Sequence, residues 1–154
     1  MRFICDAMLG KLAKYLRILG LDAPYVHSPV DFGKPMFSEG QYHFLTRRSA
    51  LRSHPNVVFI RSDRVRAQIR EIRSIIRASV HVGEAMSRCI ACNLPLVDVS
   101  RTEVEGCVAE FVYHHYETFK ACPLCGKVYW EGSHAAHMRS FIEEIFGEED
   151  GKRR

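Results

Sequence analysis

Apolar positions change period twice in the first twenty-six residues. Phe3, Ile4 and Cys5 form an unbroken run that reads as a short buried strand from Arg2 to Cys5. Met8, Leu9, Leu12, Leu16 and Leu19 then recur at helical spacing and predict a helix from Ala7 to Leu19, stopped by Gly20. On that helix Lys11, Lys14 and Arg17 fall at i, i+3 and i+6 and make a basic flank. Pro24 to His27 reads as a second strand, and residues 28–41, with two prolines and two glycines, as loop. Tyr42 to Thr46 and Val57 to Ile60 read as two further strands. Val65, Ile69, Ile72 and Ile76 predict a helix over Arg64 to Ala78, with Arg64, Arg66, Arg70, Arg73 and Arg77 on its other faces. Strands separated by helices or long connections require crossovers, so the fold class is α/β: a mostly parallel sheet flanked by helices, with ligands at the carboxyl ends of strands.

Between Val80 and Arg88 the pattern changes. The C-terminal part of the chain holds two cysteine pairs, strand-like stretches such as Lys127 to Trp130, and a last helix over Ser133 to Phe146. Ser133 suits that helix as its cap, and Met138, Phe141, Ile142 and Ile145 form its apolar face. The chain is therefore divided into an α/β domain over 1–84, a small ribbon with a C-terminal helix over 85–147, and a charged, fraying tail over 148–154.

Composition adds little until it is mapped along the chain. With 47% hydrophobic and 26% charged residues the protein is an ordinary globular one, and no apolar run approaches the roughly 20 residues that a bilayer demands. Its first residues lack an export signal, so the cytoplasm is the expected location. Residues 1–84 carry 14 Lys/Arg against 7 Asp/Glu, whereas residues 85–154 carry 8 against 11. A basic front half suits an anionic partner, RNA above all, though such asymmetry also occurs in proteins that bind nothing charged.

Four of the six cysteines form two Cys-x-x-Cys pairs, Cys89 with Cys92 and Cys122 with Cys125, separated by 29 residues. Two such turns can aim four thiolates at one tetrahedral ion; the alternatives are two disulfides or a redox motif. A redox pair normally comes singly beside a strand-helix junction, so the reading here is a zinc ribbon. Four thiolates leave no open coordination position, which makes the zinc structural. His134 and His137, beside the second pair, then contact RNA or cap the ribbon rather than serve as ligands. Tyr129 and Trp130 could stack bases or pack as core. Cys5 reads as a core residue, and Cys107 has no functional reading.

Asp6 follows the first strand and Asp63 the fourth. Each could cap a helix. If the strands are parallel neighbours, both emerge at one sheet edge, where carboxylates could hold Mg²⁺ or Mn²⁺ for phosphodiester hydrolysis.

The run from Met1 to Arg17, with Gly20-Leu-Asp22, Leu45-Thr46-Arg47, Arg61-Ser62-Asp63, Gln68, both cysteine pairs and Val128-Tyr-Trp-Glu-Gly-Ser-His134, resembles the Mut-seven C-terminal domain family of PIN-like ribonucleases. The resemblance covers nearly the whole chain. It implies a PIN-like α/β domain, a zinc ribbon and metal-dependent RNA cleavage, with Asp6 and Asp63 as catalytic acids. It also exposes departures. Where the family carries an acid after Thr-Arg, this chain has Arg48, and where the family has an acidic helix only Asp31 is available. Arginine puts a cation where the metal should sit, and its fork of donors suits a phosphate instead; alternatively Arg48 points to solvent. The resulting expectation is an RNA-binding protein of ribonuclease descent with a damaged metal site. Its RNA contacts are Lys11, Lys14, Arg17, Arg47, Arg48 and His134. The alternatives are an active Mg²⁺- or Mn²⁺-dependent ribonuclease and a protein-interaction module of a ribonucleoprotein particle.

Metal analysis after exhaustive dialysis should return one zinc per chain; folded protein carrying well below one would overturn the ribbon reading.

Overall fold

The structure, a computed structural model, describes residues 1–147 other than Ser28, Pro29, Glu39 and Val82, and of Ile145 the backbone alone. The expected tail over 148–154 lies outside the described residues, as do Ser28, Pro29 and Glu39 of the expected loop. The strands are β1 (Arg2–Asp6), β2 (Tyr25–Val26), β3 (Tyr42–Thr46), β4 (Val57–Phe59), β5 (Val97–Val99), β6 (Phe119–Ala121) and β7 (Val128–Trp130). The helices are α1 (Gly10–Ile18), α2 (Pro35–Ser38), α3 (Val65–Glu71), α4 (Arg73–Ser79), α5 (Glu110–His115) and α6 (Ser133–Gly147).

The first four strands form one parallel sheet in the order β2-β1-β3-β4. Both faces are covered, which is why β1 reads as a continuous apolar run rather than an alternation. Phe3 and Cys5 project into a core built with Leu12 and Leu16 of α1, Leu45 of β3, Ile69 of α3, Ile76 of α4 and Ile72 between those two helices. Ile4 and Phe44 project into a second core with Phe37 of α2. The expected α/β architecture is therefore present, with its second layer where the sequence suggested only loop. Proline needs no N–H at a helix's first position, and Phe37 is buried, so the segment 35–38 can close as a single helical turn.

Local departures have local causes. The Asp6 carboxylate accepts the Ala7 N–H, and the chain winds as a 3₁₀ turn over Ala7–Leu9 before α1 starts. That change of pitch leaves Met8 exposed, off the apolar face on which the spacing had put it. The long helix expected from Arg64 to Ala78 breaks at Ile72 (φ −106°, ψ 15°), while Ile69, Ile72 and Ile76 all stay inward. Asp63 does not cap it: the N-cap is Arg64, without a side-chain bond. Instead Glu71 reaches back to the N–H groups of Arg61 (2.9 Å) and Ser62 (2.8 Å) and to the Ser62 hydroxyl. Burial raises the Glu71 carboxyl, but these hydrogen bonds outweigh it and hold the group below its ordinary value.

Strands β5, β6 and β7 form a separate antiparallel sheet, which carries the second cysteine turn between β6 and β7. Helix α6 then returns to the first core: Phe141 sits 4.9 Å from Tyr15 of α1, centroid to centroid, and Arg66 and Arg70 of α3 pair with Glu144. Those two arginines, expected on a free basic face, are thus engaged by the last helix. Ser133 lies inside α6 rather than capping it, because Ala136 N–H bonds to the Gly132 carbonyl.

Gly20 closes α1 with φ +82°, and a Cβ there would lie 2.2 Å from the Glu84 carbonyl oxygen. Gly20→Ala should therefore cost at least about 2 kcal/mol, combining left-handed strain with a backbone clash. Thermal unfolding showing a change below about 0.5 kcal/mol would contradict this packing.

Candidate metal centre and carboxyl-edge site

Each cysteine pair sits on a tight turn whose geometry follows from the residue after it. Asn93 (φ 65°) and Gly126 (φ 72°) take the left-handed conformation and return their N–H groups to the carbonyls of Cys89 (2.9 Å) and Cys122 (3.0 Å). The four sulfurs then lie within 4.8 Å of one another. A tetrahedral ion with Zn–S bonds of about 2.3 Å sets its ligand sulfurs about 3.8 Å apart. The Cys89 and Cys125 sulfurs are 3.8 Å apart, far beyond a disulfide bond, and all four residues are free thiols. The cysteines are positioned to bind a metal ion.

The Tyr129 hydroxyl accepts the Ile90 N–H at 3.1 Å and lies 3.2 Å from the Cys89 sulfur, toward which its proton is free to point. Burial pushes the Cys89 thiol up, but Tyr129 and the N–H groups of Cys92 and Ala91 outweigh it and bring it to about 6. A hydrogen bond to Cys125, with burial, pushes Cys92 up to about 12. Sulfurs this close retain protons among them unless a cation takes their place. Cys5, away from this cluster, is buried in the core as expected, and burial raises its thiol to about 12 against the nearby Arg17.

The metal module is anchored by residues that sequence reasoning assigned elsewhere or passed over. Arg17, expected to face RNA, is only 8% exposed. Its Nε donates to the Ala23 carbonyl (3.0 Å) and its Nη1 to those of Ile90 (2.7 Å) and Ala91 (3.1 Å) in the first cysteine turn. Those donors are spent on the fold. The Asn93 amide donates to Asp22 (2.7 Å) and accepts from the Ala23 N–H (2.9 Å), and Asp22 also pairs with Arg2 at 3.1 Å. The sequence shows only that Arg17 is flanked by two apolar residues, Leu16 and Ile18, which in a helix does not fix where its side chain goes.

At the carboxyl edge of the sheet, Asp6 is 0% exposed. One carboxylate oxygen accepts the Ala7 N–H at 2.7 Å; the other accepts the Thr46 hydroxyl at 2.7 Å and stands 2.9 Å from Nε of Arg48. The Arg48 N–H in turn donates to the Thr46 hydroxyl at 3.0 Å, which closes the ring. The Arg48 side chain is 37% exposed, so it pairs inward and reaches outward at once. Asp63 leaves the same edge beyond β4 and is exposed; Asp31 accepts the Gly33 N–H at 2.9 Å within its own loop. Among the described residues the one cluster of three or more ligating side chains is the four cysteines, so Asp6, Asp31 and Asp63 do not gather into such a group.

Lys11 and Lys14 are exposed along a cleft of about 580 Å³, bounded by Tyr25, His27 and the first cysteine turn. Arg47 is half-buried beside Arg48, and His134 is exposed at the start of α6.

A parallel sheet with a buried carboxylate at its carboxyl edge, docked to a four-thiol module, defines an α/β protein with an appended metal-binding ribbon. Comparison of the sequence with family models makes the assignment specific. The chain belongs to the Mut7-C RNAse domain family, whose model matches residues 1–142 of the 154. No curated protein and no solved structure matches it.

Tyr129→Phe keeps the ring and removes the hydroxyl beside Cys89, so metal affinity should fall about 10- to 100-fold in chelator competition. Unchanged affinity would show that the hydroxyl serves only the Ile90 N–H.

Proposed function

We propose that the chain is an RNA-binding protein of ribonuclease descent whose carboxyl-edge site meets phosphate rather than a catalytic divalent ion, and whose four cysteines hold a structural zinc. The observation that carries this reading is the contact of Arg48 Nε with Asp6 at 2.9 Å. A buried carboxylate needs one compensating charge, and here a guanidinium supplies it. A divalent ion at the same oxygens would have to displace that guanidinium and overcome its repulsion. The part of Arg48 that reaches outward offers the remaining fork donors to a phosphate oxygen. Arg47 beside it, and Lys11 and Lys14 along the neighbouring cleft, extend the positive potential that a ribose-phosphate backbone would follow. The thiol ligands suit a reducing compartment, and we place the protein in the cytoplasm.

One observation favours the second reading, an active Mg²⁺- or Mn²⁺-dependent ribonuclease: Asp6 and Asp63 leave the sheet by the same edge. Labelled single-stranded and structured RNA, incubated with Mn²⁺ and with EDTA, separates the two. The proposal expects salt-sensitive binding and no cleavage, with Lys11→Ala or Lys14→Ala each reducing the salt slope by about 0.7. Cleavage abolished by EDTA and by Asp6→Asn would establish the second reading instead. Neither binding nor cleavage would leave a protein-interaction module. In calorimetry, Arg48→Asp should strengthen Mn²⁺ binding, since it removes a cation and adds a ligand; no change would count against Arg48 as the group that fills the metal position.

A further inference from the structure

The stretch Trp130 to His134 is unused by either site, yet it borders a second cavity. This space, about 320 Å³, lies between the end of α1, the first cysteine turn, β7 and the start of α6. Its walls are apolar and aromatic, with Ile18, Ile90, Met138 and Trp130, and its polar lining includes Lys127 and His134. At this size it falls at the small end of ligand pockets, enough for one flat ring system. Neither the Trp130 indole N–H nor the ring of the exposed His134 has a hydrogen-bond partner among the described residues. The turn is shaped around the indole: a Cβ on Gly132 would fall 2.8 Å from its Nε1. The opposite wall is held in place as well, because the Ile90 N–H is fixed by the Tyr129 hydroxyl and the Ile90 carbonyl by Arg17.

We infer that this cavity takes a single unstacked nucleobase, an inference that rests on the reading of the chain as an RNA binder. Every base has a π-face for Trp130 and a polar edge for the free imidazole and indole donors. Lys127 supplies positive charge for the phosphate attached to such a base. A purely aliphatic ligand would leave those ring donors unanswered. The cavity is thus a base pocket, separate from the phosphate contacts around Arg48, and the metal-tied turn holds one of its walls rigid.

Trp130 is the only tryptophan in the chain, but it also borders a cavity lined by Phe119 and Lys120, so its fluorescence is assigned to the pocket by comparison with His134→Ala, which alters the wall of the proposed pocket and not of the other cavity. Zinc-loaded full-length protein is titrated with labelled oligouridylate and oligoadenylate, and with an abasic oligonucleotide of equal length. Anisotropy reads total binding, and the part of the Trp130 quenching that His134→Ala removes reads occupancy of the pocket. The expected result is quenching by both base-containing strands with the midpoint seen in anisotropy, and binding of the abasic strand about tenfold weaker or more, without quenching. His134→Ala, an exposed change, should bring the affinity of the base-containing strands toward the abasic value. Equal affinities for all three strands with Trp130 emission unmoved would overturn the pocket and leave RNA binding intact. An absence of anisotropy change with every strand would overturn both.

Discussion

The buried guanidinium of Arg17 decides how the two sheets of this protein meet. It points three hydrogen bonds at carbonyls, one in the loop after α1 and two in the first cysteine turn. A carbonyl turned away from water must find a donor, and a buried cation must find acceptors, so each requirement satisfies the other. Asn93, fixed in a left-handed conformation by the same turn, completes the seam through Asp22 and Ala23. The ribbon contributes little apolar burial of its own, and this polar seam with the four thiols does what a larger core would otherwise do.

At the other site the governing quantity is charge. A carboxylate with no exposure is tolerable only when partnered, and Asp6 has three donors of which one is a full cation. The sheet edge that places anionic groups near one another in α/β proteins is here predominantly basic, with Arg47, Arg48 and Arg61 all following strand ends. The arginine compensates the carboxylate, and the carboxylate in turn orients the arginine, whose side chain remains partly exposed.

Much of this was legible beforehand, for reasons that differ by residue. The parallel sheet followed from apolar runs and long connections, and the metal module from spacing that has few other uses. The single-turn helix α2 escaped because four residues carry no periodicity, and the break at Ile72 escaped because the apolar spacing continues across it. Arg17 was misread because helical spacing groups it with Lys11 and Lys14. Periodicity reports which side of a helix a residue occupies, not what is packed against that side. Tyr129 was read as a stacking ring or core, since nothing in the order of residues places its hydroxyl beside a sulfur forty positions away.

The return of α6 to the first core has a consequence for biosynthesis. Phe141, Ile142 and Phe146 cover apolar surface that α1 presents from the outset. A ribosome delivers the sheet and α1 first, the cysteine turns next and the covering helix last. Until then Tyr15 and its neighbours stay open to water and to other chains. The nascent protein must carry this uncovered face until its last helix has been made and folded back.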